Sequence, residues 1–302
     1  MSITDPAFLK RLDRLRIQLR AARGHRPGET PIPRTNQPWG VEFESYKDYA
    51  PGDDFRYVDW NVVGRLNQVL VKTFIAEREI PFHLFLDTSA SMGVPTVDQK
   101  FAFATDLVAA LSYIVLINND TLRLVALSSP EKDQPPFRAI PFLRHRGRFP
   151  RILQFLETLV PAGKTYLREA VRACIEQTKE PGVAVVVSDF LMERTQYEEA
   201  LAFLRARGYE VKAIHILGAS ELDPSQLFRR GKLHDVENHG ERWITLSQAN
   251  LRRYREVLQA HLDALQQFCH RHQIVYARAS TASSVTALMT EGLPQAGLLA
   301  LR

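Results

Sequence analysis

From residue 82 onward, short apolar runs alternate with longer segments whose apolar residues recur at helical spacing. The runs predict strands over 82–86, 121–127, 183–188, 211–217 and 274–278. The intervening periodicity predicts helices over 99–117, 150–159, 167–178, 195–207 and 251–271. Continuous apolar strands such as VAVVVSD and VKAIHIL suit a sheet covered on both faces. Strands alternating with helices imply parallel, right-handed βαβ units. The fold class is therefore α/β, a doubly wound, mostly parallel sheet flanked by helices. Two insertions interrupt this pattern, the Pro-rich PPFRAIPF at 135–142 and the segment 232–246. In the second, NHGE at 238–241 reads as a turn joining two short strands.

Upstream the pattern differs. Phe8, Leu12, Leu15 and Leu19 recur at helical spacing, which predicts an amphipathic helix. GHRPGETPIPRTNQP at 24–38 reads as an irregular linker. Residues 39–80 read as short polar strands and turns, with PGDD at 51–54 as a turn. The expected organisation is a basic helix and linker over 1–38, a small β-rich segment over 39–80, and the α/β domain over 81–302 with its hairpin insertion near 232–246.

Composition changes this picture little. At 302 residues, with 45% hydrophobic and 24% charged residues, the chain has the makeup of a soluble globular protein with a real core. No run approaches the roughly 18–20 apolar residues of a membrane span, so no integral membrane segment is expected. The start MSITDPAFLKRLDRLRIQLR lacks a secretory core. Cys174 and Cys269 offer neither a disulfide framework nor metal-ligand spacing. A cytoplasmic protein is the expectation. The net charge of +5 is concentrated at the start, where the first 34 residues hold eight Lys or Arg against three Asp or Glu. A helix docked on its own domain with a solvated basic face is the favoured reading. An acidic partner, a membrane surface or nucleic acid is the other, and no aromatic interleaving supports nucleic-acid binding.

The chemistry concentrates in FHLFLDTSASM at 82–92. An apolar strand ends there in Asp-x-Ser-x-Ser, delivering one carboxylate and two hydroxyls together. Hard divalent cations take oxygen ligands, and Mg²⁺ keeps several waters and one or two carboxylates. In an open α/β sheet, sites form beyond the carboxyl ends of strands. Asp189 ends the strand VAVVVSD and emerges at the same edge, and Thr165 of PAGKT lies in a loop before a helix. Asp87, Ser89, Ser91, Thr165 and Asp189 are thus the candidate metal ligands, with Mg²⁺ (or Mn²⁺ or Ca²⁺) as the ion. Two carboxylates only offset the charge of a divalent ion. Such a site is suited to completion by a partner's Asp or Glu, and no His or Glu in these loops is an obvious general base.

At these residues the chain resembles a von Willebrand factor A domain with its metal-ion-dependent adhesion site (MIDAS). The matching positions are DTSAS at 87–91, the threonine of GKT at 163–165 and the aspartate of SDF at 188–190. In that family the three loops hold Mg²⁺ or Mn²⁺, and a carboxylate of the bound protein supplies a further ligand. Upstream, GVEFESY at 40–46, YAPGDDFRYVDW at 49–60 and VKTFIAERE at 71–79 resemble the hallmark of the DUF58 family of bacterial and archaeal proteins. That resemblance covers the chain from about residue 40 onward. It implies an adaptor acting with a MoxR-type AAA+ ATPase in assembling or activating other proteins. Many members carry N-terminal membrane helices; the absence of one here favours a cytosolic form. One departure is AGKTY, where relatives often carry a Gly-Gly-Thr-Asp type sequence. It sets Lys164 beside the expected ion.

Other readings weigh less. DTSAS alone would serve as a turn capping a helix. GKT is no P-loop, because the glycine needed five residues earlier is Thr158. Asp53, Asp54, Arg56, Asp59, Trp60 and Arg65 read as an ion-pair network locking the insertion onto the main domain rather than as a functional surface. CHRH at 269–272 points in different directions on a helix and reads as a solvated helix end. Ser89 has no His or Lys placed to activate it as a nucleophile. A metal-dependent, phosphatase-like hydrolase using Asp87 is the alternative function, with Ser89 standing where such a site usually has a second acid. The expectation is a non-enzymatic interaction module.

Overall fold

The structure is a computed structural model and describes residues 5–19, 41–66, 68–76, 80–128, 135–178, 180–224, 230–234, 241–245 and 247–301. In chain order its elements begin with α1 (Pro6–Leu12), β1 (Leu15–Ile17), β2 (Val41–Asp48), α2 (Trp60–Leu66) and β3 (Leu70–Ala76). There follow β4 (Pro81–Asp87), α3 (Lys100–Ile117), β5 (Thr121–Leu127), β6 (Phe137–Ala139), α4 (Phe149–Glu157), α5 (Leu167–Glu176) and β7 (Val183–Ser188). The chain continues with α6 (Arg194–Ala206), β8 (Glu210–Leu217), α7 (Ala219–Leu222), β9 (Arg230–His234), β10 (Glu241–Thr245), α8 (Gln248–Arg271), β11 (Val275–Ser280) and β12 (Leu299–Leu301).

Two compact units divide the chain, one of residues 1–21 and 80–302, the other of residues 22–79. The larger holds a six-stranded sheet in the order β11-β8-β7-β4-β5-β6. Its strands run parallel except β6, which is antiparallel to β5. Burial on both faces explains the unbroken apolar strands. Phe82, Leu84 and Leu86 of β4 face one core with Val183, Val185 and Val187 of β7. Phe85, Ala184 and Val186 face the other, packed with α5 and α6. Connections leave β4 toward β5 on one side and return to β7 on the other, so β4 and β7 flank the point where the winding reverses.

Helix α3 is the central core helix. Leu107, Val108, Leu111, Ile114 and Leu116 are buried, as are Ala104 and Ala110. This amends the expectation from composition. Among the described residues one helix, Thr96–Ile117, is long and apolar enough to cross a membrane, and most of its length is buried inside the protein. A helix apolar on every side belongs either in lipid or deep in a core, and here it lies in the core.

The first residues depart from expectation. The helix ends at Leu12, and Leu15–Ile17 forms a strand antiparallel to Leu299–Leu301. Leu15 and Ile17 are buried while Arg16 between them is exposed, a period of two that also fits the helical spacing of four. Pairing with a strand almost 300 residues away decided between them. The segment is tied down further by Lys212 Nζ donating to the Gln18 carbonyl (2.6 Å) and Tyr113 Oη to Asp13 (2.8 Å). The expected linker at 24–38 lies outside the described residues. The Pro-rich stretch 135–142 is no insertion, since it supplies the edge strand β6. At the second insertion, β9 and β10 pair antiparallel with Glu241 opposite His234; of the turn expected at 238–241, residues 238–240 lie outside the described residues and Glu241 begins β10.

The smaller unit pairs β2 with β3 and includes α2, so the segment expected as β-rich also carries a helix. Three ion pairs join described residues of this unit. Lys47 meets Asp53 at 2.6 Å, Arg56 meets Asp54 at 2.6 Å, and Lys72 meets Asp59 at 2.9 Å. Tyr46 also donates to Asp59. Lys72 and Tyr46 hold the Asp59 carboxyl down at about 2. Each of these pairs joins two residues of the smaller unit.

His83 sits in the sheet on β4 with its Nε2 3.3 Å from the Thr178 hydroxyl. Burial, with the Arg123 charge adding to it, pulls its imidazole down to about 4. A folded value below the unfolded one of about 6.5 means that the unfolded chain takes the proton first as pH falls. This contribution to stability is complete above about pH 6.5 and disappears toward pH 4, on the order of 3 kcal/mol. Urea unfolding at pH 7 and pH 4.5 checks it. His83→Gln is expected to flatten the acid loss; an equal loss in variant and wild type contradicts the assignment.

Candidate functional site

The parallel pairing of β4 with β7 sets Leu86 opposite Val187, so Asp87 and Ser188 leave the sheet side by side. Asp87 is fully buried. Its Oδ1 accepts from the Ser89 amide (2.9 Å) and the Thr165 hydroxyl (2.6 Å), and its Oδ2 accepts from the Ser188 hydroxyl (2.5 Å). The Ser89 and Ser91 hydroxyls lie 2.9 Å apart. Backbone bonds clasp the first two loops together: Ala90 N donates to Gly163 O and Ala162 N to Thr88 O, both at 2.9 Å. The Thr88 hydroxyl donates to the Leu127 carbonyl and ties the first loop to β5.

Asp189 follows directly and is also buried. Its Oδ1 accepts from the Leu191 amide at 3.2 Å. Its Oδ2 lies 3.0 Å from the ammonium of Lys100, whose side chain is 0% exposed and which reaches Glu221 Oε1 at 2.5 Å. Thus Asp87, Ser89, Ser91 and Thr165 join through short hydrogen bonds, and Asp189 adjoins them with a partner of its own.

Electrostatics follow from burial. Desolvation, and then the charge of Asp189, push the Asp87 carboxyl upward against the pull of its three hydrogen bonds. Burial works against the Lys100 ammonium, but Asp189 and Glu221 outweigh it and raise its value. The Glu221 carboxyl is raised by burial, with Lys100 opposing.

The donor set fits a hard divalent cation. It is all oxygen, two carboxylates and three hydroxyls, and each hydroxyl keeps a lone pair after donating its proton. Among the described residues no group of three or more His, Cys, Asp or Glu is placed to hold a metal. A cation here would depend on hydroxyl donors, which suits Mg²⁺ or Mn²⁺ and not the nitrogen or sulfur sites of zinc.

Sequence reasoning missed Ser188, Lys100 and Glu221. Lys100 carried a readable signal. A cation in the first turn of a helix opposes the helix dipole, so a lysine opening an apolar helix implies an anion waiting nearby. Lys164 stands beside Thr165, half-buried. The GKT loop follows helix α4 rather than a strand, as the rejection of a P-loop requires. At 269–272, Cys269 is buried while His270 is exposed, so only part of that segment is solvated.

A family model described as "Protein of unknown function DUF58" matches residues 45–264. The "Uncharacterized protein Rv1480" of Mycobacterium tuberculosis is 29% identical over 179 residues, which are 58% of this chain and 54% of that protein. The chain spans about half the length of the curated relatives it matches. Among solved structures, BatB from Bacteroides thetaiotaomicron superposes with a TM-score of 0.44 at 14% identity, covering 72% of this chain and 98% of that one. A von Willebrand factor type A protein from Catenulispora acidiphila gives a TM-score of 0.40 at 12% identity, over 76% of this chain and 43% of that one.

Proposed function

The chain belongs to the DUF58 family, and from that premise we propose that it is a metal-dependent protein-interaction module. Asp87, Ser89, Ser91, Thr165 and Asp189 hold a divalent cation, Mg²⁺ or a similar hard ion. When bound, the ion offers a Lewis-acidic position to a carboxylate of a partner protein. The observation that carries this reading is the convergence on Asp87 of the Thr165 hydroxyl at 2.6 Å and the Ser89 amide at 2.9 Å, with Ser91 2.9 Å from Ser89. Donors from two separate loops, a backbone amide and a hydroxyl, meet at one buried carboxylate, and a third loop brings Asp189.

The partner proposed is a MoxR-type AAA+ ATPase or its client, on the resemblance of the PGDD and DW block, and the compartment is the cytoplasm. The role is non-catalytic. The hydrogen-bond partners of Asp87 are an amide and two hydroxyls, and none of them can serve as the general acid or base that a hydrolase would need. Capture of a MoxR-type ATPase encoded in the same genome, with Mg²⁺ and with EDTA, tests the proposal. Recovery is expected only with Mg²⁺ and is lost in Ser89→Ala, whose hydroxyl meets Ser91. Equal recovery in Mg²⁺ and EDTA contradicts it.

A further inference from the structure

The two carboxylates of the site are not equivalent. The three donors on Asp87 are all uncharged, namely two hydroxyls and an amide. Asp189 instead has a buried ammonium on Oδ2 and a backbone amide on Oδ1. One carboxylate has only uncharged hydrogen-bond partners; the other has a counter-ion built in.

The counter-ion is placed at some expense. Lys100 opens α3, so its ammonium adds to the positive end of the helix dipole, and its side chain has no exposure to water. A buried ammonium persists only where anions surround it. The anions come from two other loops, Asp189 after β7 and Glu221 in α7 after β8. Glu221 is itself fixed, its Oε2 accepting from the Gly218 amide at 2.7 Å. Two residues before Lys100, Asp98 accepts from the Ser220 amide at 3.1 Å and pins the same α7 segment. A Cβ at position 218 would stand 2.2 Å from Asp98 Oδ2, so only glycine admits this approach. The ammonium is thus held between two anions, one of them on a pinned segment, and Asp189 is held with it.

We propose that Lys100 is a positioning residue that holds Asp189 back from the cation, so that Asp87 is the one carboxylate whose charge the ion fully meets. This rests on the metal reading above and deepens it. An ion facing one unbalanced carboxylate keeps positive charge for an acidic residue of the partner. An ion neutralised by two carboxylates does not. Lys100 therefore trades metal affinity for partner affinity.

The trade predicts a gain where damage to the fold predicts a loss. Titration calorimetry of the full chain with Mg²⁺ or Mn²⁺ alone reads it. Lys100→Met is expected to bind the ion about tenfold more tightly, since removing one unit charge near a divalent ion is worth that much even at the dielectric constant of water. Glu221→Gln leaves the ammonium wholly to Asp189 and is expected to bind severalfold more weakly. Should Lys100→Met fail to fold, Lys100→Gln with Glu221→Gln removes the cation together with one of its anions, and a smaller tightening is expected, because Asp189 is freed while the charge lost from Glu221 offsets part of the gain. Folded variants lacking Lys100 that bind the ion equally or more weakly overturn the proposal while wild-type binding upholds the metal reading. Binding by neither wild type nor variants overturns both.

Discussion

Asp87→Asn is expected to abolish divalent-cation binding, lowering affinity more than about 100-fold, while leaving the metal-free fold no less stable than wild type. The reasoning is local and the two effects have opposite signs. Asn has the shape of Asp, and its carbonyl oxygen can keep the Ser89 amide and Thr165 hydroxyl bonds that Oδ1 accepts. Its amide nitrogen then faces the Ser188 hydroxyl. That oxygen already accepts from the Phe190 amide at 2.9 Å and can turn to accept a second donor. The hydrogen bonds survive; the charge does not. Burial and the neighbouring Asp189 disfavour the charged Asp87 in the fold, as the upward direction of its pKa records. Removing that charge relieves a cost in the metal-free protein and removes the main attraction for a cation. Thermal unfolding in EDTA and in excess Mg²⁺ separates the two. Wild type should gain stability from Mg²⁺ by mass action and Asp87→Asn should not. A variant that gains as much as wild type, or that unfolds far below it in EDTA, contradicts the assignment.

Gly182→Ala is expected to lose about 3 kcal/mol or more of folding stability, the range of severe overpacking against backbone. A Cβ there would stand 1.9 Å from the Pro81 carbonyl oxygen and 2.7 Å from the Pro81 ring. No rotamer relieves a clash with a carbonyl, so the strands themselves must part. The glycine precedes β7 where that strand begins to pair with β4, Phe82 opposite Val183, and its own carbonyl accepts from Glu210 at the start of β8. Three central strands are therefore disturbed at once. The candidate site lies at the other end of β4 and β7, some 20 Å away at about 3.3 Å per residue. Cation affinity of the folded fraction should change far less than stability. Urea unfolding measures the loss, and a loss below about 1 kcal/mol contradicts the packing argument.

Much of the main unit was legible because its strands are apolar on both faces. Expected strands 121–127 and 183–188 coincide with β5 and β7, and 82–86 with β4 to within a residue at each end. Helix 99–117 begins one residue late at Lys100, since Gln99 adopts a left-handed conformation. Failures lie where a short segment fits two periods. Leu15–Ile17 reads as helix by spacing and is a strand by pairing, and Phe137–Ala139 reads as a Pro-rich insertion and is an edge strand. In both cases the pairing partner lies outside the segment, where spacing along the segment does not reveal it.

The sequence by itself determined the parallel α/β core and named the oxygen-bearing residues at its carboxyl edge, because both follow from local signals, apolar runs and the Asp-x-Ser-x-Ser loop that ends one of them. Only the tertiary structure decided that Thr165 and Ser188 donate to Asp87, and that Lys100 and Glu221 belong beside Asp189. Those contacts span from 78 to 121 residues of chain. No periodicity encodes them. They exist because strand order places β4 beside β7, and because a buried ammonium must find its anions wherever the fold brings them.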